Sequence, residues 1–129
     1  MPDAPWTVER HLADRPDEVS DLYAAFVRAL ATCGPFEVSV TKTAIAFKGE
    51  RRGFAGVTPM AAGLSGFMDL QRRVESPRFS RVSPYAKRLF VHRFRLTSPD
   101  ELDDEFMSWL REAYDVGAGA HLDRPAVKR

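Results

Sequence analysis

Lys42, Lys48, Arg93 and Arg95 are the residues whose types and spacing could best do chemistry. In an extended strand, successive side chains point to opposite faces. Lys42, Ala44, Ala46 and Lys48 then share one face, with Ile45 and Phe47 on the other. Over residues 88–97, Val91, Arg93 and Arg95 share one face, and Phe90, His92, Phe94 and Leu96 share the other. A face of small residues edged by cations leaves room for a ligand. Ammonium and guanidinium groups on it can bind phosphate or carboxylate. Arg51 and Arg52 at a predicted hairpin tip, and Lys87 and Arg88 beside Tyr85, extend the same chemistry. The candidate ligand-binding set is therefore Lys42, Lys48, Arg51, Arg52, Tyr85, Lys87, Arg88, Arg93 and Arg95. The plain alternative is a solvated sheet face whose cations confer solubility and block edge pairing.

Cations interleaved with Phe79, Tyr85, Phe90 and Phe94 also suit phosphate contacts combined with base stacking. Phe90 and Phe94 fall in the apolar register and are expected in the core, which leaves Phe79 and Tyr85 as stackers. Arg72, Arg73, Arg78 and Arg81 fall in a stretch that reads as irregular, because Pro77 and Pro84 interrupt it.

Other chemistries find less support. His92 shares a face with two phenylalanines, which favours a hydrogen-bonded core histidine over a general base. Cys33 ends a predicted helix, and a reactive thiol prefers a helix N-terminus or cationic neighbours. Asp100, Glu101, Asp103, Asp104 and Glu105 cluster where a helix dipole welcomes negative charge, a simpler cause than a divalent metal. No His, Cys and acidic residues have metal-ligand spacing, and neither metal nor cofactor is expected. Gly53-Phe54-Ala55-Gly56 precedes no helix and lacks the lysine of a phosphate loop. Its glycines mark a turn and a close approach within a strand.

The elements that must position these groups are legible in outline. Thr7 opens a short helical turn through Leu12. Asp14 or Asp17 can cap a helix whose apolar stripe is Val19, Leu22, Tyr23, Phe26, Val27 and Leu30, stopped by Gly34-Pro35. Strands are expected over 36–41, 42–48, 54–58, 64–70 and 88–97. Ser98-Pro99-Asp100-Glu101 is a capping box that opens a second long helix, with Leu102, Phe106, Trp109, Leu110, Ala113 and Tyr114 as its stripe and Gly117 as its stop. Short connections favour antiparallel neighbours. The expected architecture is a two-layer α+β domain, a mainly antiparallel sheet of about five strands with an N-terminal and a C-terminal helix on one face. Residues 1–129 read as a single domain, with an ordered core over about 6–117 and a flexible tail over 118–129.

The net charge of +1 hides a segregation. Residues 1–41 carry −4, residues 42–95 carry +9 and residues 96–129 carry −4. The helices are thus acidic and the strand region basic, which bears on partners and fields rather than on fold. With 129 residues, 44 % hydrophobic and 29 % charged, the chain can bury one core unaided. The composition excludes a disordered chain, a collagen-like chain and a disulfide miniprotein. One cysteine cannot form an internal bridge, and no apolar run approaches a membrane span. The charged first twenty residues lack a signal-peptide stretch, so the expected compartment is the cytoplasm, with no membrane partner.

Four separated stretches carry a resemblance. They are Thr41 to Lys48, Arg52 to Gly56, Val82 to His92, and Leu96 to Asp103. Together with Trp6 and the closing Trp109 to Tyr114, they resemble the domain of unknown function 5655 family over about residues 5–121. The resemblance implies a small α/β protein, free-standing or a C-terminal module, with some larger carriers nuclease-like or restriction-like. It transfers no catalytic residue. Ser83-Pro84-Tyr85-Ala86-Lys87 departs from the Gly-rich, Trp-containing stretch of the module form.

Three functional expectations follow. The leading one is a non-enzymatic module that binds an anionic partner, nucleic acid or a small ligand, through its basic sheet face. The second is an enzyme on a small anionic substrate, with His92 or Tyr85 near the lysines. The third is a structural protein that dimerises through a strand edge or an apolar surface.

Overall fold

The computed structural model describes residues 5–86 and 88–120. The first helix, α1 (Val8–Leu12), is capped by the Thr7 hydroxyl, which accepts from the Arg10 amide. The second, α2 (Asp17–Ala31), starts after Pro16 with no side-chain cap, so neither Asp14 nor Asp17 takes the capping role offered by the sequence. Asp17 and Glu18 lie in its first turn, where the dipole favours them. Six strands follow: β1 (Glu37–Val40), β2 (Ile45–Lys48), β3 (Gly53–Pro59), β4 (Leu64–Leu70), β5 (Phe79–Ala86) and β6 (Leu89–Leu96). A 3-10 turn (Pro99–Glu101) leads to α3 (Asp104–Gly117).

The strands form one antiparallel sheet in the order β1-β2-β3-β4-β6-β5. The chain meanders through β4, crosses to the far edge as β5, and returns as β6 between the two. The expected α+β class holds with one strand more than expected. The added strand is β5, which lies in the stretch read as irregular. Pro84 is tolerated there because β5 is an edge strand and pairs on one side only. Two register shifts, after Phe79 and after Pro84, fit its twist to β6. The β5–β6 turn carries Arg88 with φ +67°, a left-handed conformation uncommon outside glycine.

The helices pack on one face of the sheet. Leu22, Phe26 and Leu30 of α2 and Phe106, Trp109 and Leu110 of α3 join Ile45, Phe47, Leu64, Met68, Phe94 and Leu96 in one buried cluster. Phe26 stacks on Phe94 and tilts against Phe47. Phe94 also lies over Gly66, where a Cβ would collide with its ring. Phe90, expected in this core, is only half-buried and lies outside it. The Arg73 guanidinium covers its ring at 5.2 Å. Phe79 is not a free stacker: it is buried against His92 and Trp109.

The Ser98 capping box is present, but it closes the 3-10 turn. A second cap, Asp103, accepts from the Phe106 amide at 3.0 Å and opens α3. No described helix is long and apolar enough to cross a membrane.

Candidate functional site

The sheet face opposite the helices carries the residues that alternate with the core residues along each strand. On it stand Ala46, Gly56, Ser65, Phe67, Asp69, Val91, Arg93 and Arg95. Phe67 pairs with Gly56 across β3–β4, and its ring lies where a Gly56 Cβ would be, 2.6 Å from the ring carbon Cε2. Only glycine lets the ring lie flat there. On β6, Phe67 has Arg93 as its partner, and on the far side of β6 Arg93 stands opposite Arg81.

A groove of about 610 Å³ runs across this face. Ala46, Ala55 and Val91 give it an apolar lining; Phe67 and Tyr85 add aromatic surface; Arg52, Asp69 and Arg93 supply the charge. That volume suits a small molecule. A smaller depression of about 290 Å³ adjoins it, shares Phe67 and Arg93, and adds the hydroxyls of Thr43, Thr58 and Ser65. Tyr85 is 62 % exposed, so its ring is open to stacking.

Arg52 is fixed before any ligand arrives. The amides of Arg51 and Arg52 both donate to the Gly117 carbonyl at the end of α3, at 2.8 and 3.1 Å. The Arg52 Nε donates to the Gly53 carbonyl at 2.8 Å, and its Nη2 donates to Asp69 Oδ2 at 2.7 Å. Its guanidinium stands 5.5 Å from the Tyr85 ring centre. A register shift between β2 and β3 leaves Phe54 as an extra residue between the Gly53 and Ala55 pairings. Its ring meets Tyr114 edge-on and closes against Gly117. The turn that carries Arg52 is thereby anchored to α3.

Asp69 is the unusual group. It is 3 % exposed, and its Oδ1 is buried with no hydrogen-bond partner. Burial pushes its carboxyl up to about 6, although the neighbouring Arg52 pulls the other way. Buried, perturbed acids in clefts are candidates for functional groups.

His92 and several of the carboxylates have structural duties. His92 is fully buried. Its Nε2 accepts from the Val74 amide at 3.0 Å, so the proton lies on Nδ1, which donates to the Phe90 carbonyl at 3.0 Å. Burial lowers its pKa, and both nitrogens are occupied. It is the hydrogen-bonded core histidine favoured by the sequence, not a base open to a pocket. The acidic cluster likewise holds structure. Asp103 and Glu105 bind Arg78 at 2.8 and 3.2 Å, Glu112 binds Arg72 at 2.7 Å, and Glu101 accepts from the amides of Thr97 and Ser98. Part of the basic segment is therefore neutralised by α3 and the turn before it.

The candidate cations do not form one surface. Arg52, Tyr85 and Arg93 meet in the groove. Lys42 borders a separate depression with Trp6, Arg10 and His11, and Lys48 borders another with Pro35, Phe36 and Glu37. Arg95 shares the open face but borders a third, with Arg78 and Ser80. Arg51 packs its stem beside Gly119. Arg88 sits in the β5–β6 turn, and Lys87 lies outside the described residues. Sequence reasoning missed three residues of the open face: Phe67, Asp69 and Arg81. The signal for Arg81 was present, because Arg81, Ser83 and Tyr85 alternate once 79–86 is read as a strand.

The family model described as "Domain of unknown function (DUF5655)" matches residues 8–117. The chain belongs to this family. The match spans every element that builds the groove, from α1 to the end of α3. No curated protein and no solved structure matches the chain.

Proposed function

We propose that this member of the domain of unknown function 5655 family is a binding module for a small anionic ligand, held in the groove on the uncovered sheet face. The observation that carries this reading is the pair Arg81 and Arg93, directly opposite each other on β5 and β6. Like charges so placed repel. An anion between them removes the repulsion and gains charge-assisted hydrogen bonds. The pre-set Arg52 and the exposed Tyr85 ring support the same reading. The scattering of Lys42, Lys48 and Arg95 over separate depressions favours a compact ligand over a long nucleic-acid strand. Binding, rather than catalysis, is supported by the engagement of both His92 nitrogens in core hydrogen bonds.

The test is a thermal-shift and calorimetric titration with inorganic phosphate, adenosine monophosphate and ten-nucleotide single-stranded DNA and RNA, at roughly 50 and 200 mM salt. Saturable binding of the small anions, lost in Arg93→Ala, is the expected result. Tight oligonucleotide binding with a steep salt slope, or no binding of any probe, would overturn it.

A further inference from the structure

The buried, unpartnered oxygen of Asp69 narrows the class of ligand, on the basis of the binding reading above. Asp69 and Arg93 belong to successive same-face pairs of the β4–β6 ladder, Asp69 with Val91 and Phe67 with Arg93. Such diagonal neighbours lie about 7–8 Å apart along the backbone, and the arginine side chain reaches further. One charged end of the groove thus accepts hydrogen bonds and the other donates them, with the Phe67 ring beside them over Gly56 of β3. Asp69 Oδ2 is committed to Arg52, while Oδ1 retains its full acceptor capacity. Native structures seldom leave a buried acceptor unmatched, and a ligand is one way to match it.

We infer that the groove takes a planar aromatic ring with an N–H or O–H donor at one end, received by Asp69 Oδ1, and an anionic group at the other, received by Arg93 and Arg81. A nucleoside monophosphate and a hydroxyaryl carboxylate share this chemistry. The ring lies on Phe67 and Tyr85. The titratable and charged groups that line the groove with Asp69 are Arg52 from the β2–β3 turn, which binds it, Tyr85 from β5 and Arg93 from β6.

The experiment compares two ligand pairs that differ in the donor alone. Adenosine monophosphate is set against purine riboside monophosphate, and 4-hydroxybenzoate against benzoate, by calorimetry at pH 7.5. The donor-bearing member of at least one pair binds about tenfold tighter or more, because its hydrogen bond goes to a charged acceptor. The pair that shows the preference identifies the source. In Asp69→Asn the preference vanishes. Arg52 orients the amide oxygen towards itself and leaves the NH₂ facing the ligand donor. In the unmodified protein the preference shrinks as pH falls below about 6, where Asp69 takes up a proton; this arm serves if the variant fails to fold. Equal binding of both members of each pair, with Arg93→Ala still abolishing it, would overturn the donor assignment and leave the anion site standing. No binding of any member, with no effect of Arg93→Ala, would overturn both.

Discussion

Arg81 on β5 and Arg93 on β6 stand directly opposite one another on the sheet face that no helix covers. Neither side chain makes an ion pair with a described residue. Three other arginines of the basic segment are matched: Arg72 and Arg78 turn towards α3 and its carboxylates, and Arg52 has Asp69. Arg93 lines the groove, and an anion bound beside it would relieve its repulsion with Arg81.

Relieving this repulsion should stabilise the protein without ligand. Arg81→Ser is expected to raise the stability by about 0.2–1 kcal/mol at low salt, and by less as salt screens the pair. The same variant should bind phosphate more weakly. Urea denaturation at two salt concentrations checks the first effect and calorimetry the second. A loss of stability together with unchanged phosphate binding would remove the pair from the account.

Asp69 makes stability depend on pH with an unusual sign. Its folded pKa, about 6, lies above its unfolded value near 3.8. Between these values the folded state holds more protons than the unfolded state. Its contribution is thus full below about 4 and is lost as pH rises through 6. The loss amounts to about 3 kcal/mol, and Asp69→Asn should abolish it. The difference in unfolding free energy between the two proteins, followed from pH 4 to 7.5, isolates this group. A difference that grows in favour of the unmodified protein as pH rises would mean that Arg52 outweighs burial.

His92 works in the opposite direction. Its folded pKa is lowered, so its stabilising effect is present at neutral pH and fades as pH falls below the usual histidine range. His92→Leu strands the Val74 amide and should cost about 1–3 kcal/mol, with ligand binding in the groove retained. Long-range nitrogen NMR should show the proton on Nδ1 at pH 7. A proton on Nε2 would contradict the Val74 contact.

The two phenylalanines of β6 should separate cleanly. Phe94→Ala opens the core among Phe26, Phe106 and Gly66 and should cost about 3–5 kcal/mol. Phe90→Ala, half-exposed under Arg73, should cost less than half as much. Chemical denaturation of both variants decides this, and equal costs would place Phe90 in the core after all.

The fold was readable because its signals are local. The apolar stripes of α2 and α3, the capping box and the alternation in β2 and β6 each follow from residues close in sequence. The site was less readable because it depends on pairing. Asp69 looks like a polar break in an apolar strand until β4 is set beside β6 and the β2–β3 turn brings Arg52 to it. Arg81 looked like part of a loop because Pro84 breaks a central strand but not an edge strand. Lys42 and Lys48 were grouped by parity over 42–48, yet β2 begins only at Ile45, so Lys42 lies in the β1–β2 turn, outside the alternation, and different neighbours surround the two lysines. Alternation gives the face of a residue; only the sheet order gives its companions.

The central claim is that an anion is held on the open face between Arg81 and Arg93. The most direct measurement is a nitrogen–proton NMR titration with adenosine monophosphate at low salt, following the arginine Nε–H signals. The account predicts saturable shifts of Arg81 and Arg93, with accompanying changes at Phe67 and Val91, and none at Lys42 or Lys48. Shifts centred on those lysines, or shifts that never saturate, would contradict it.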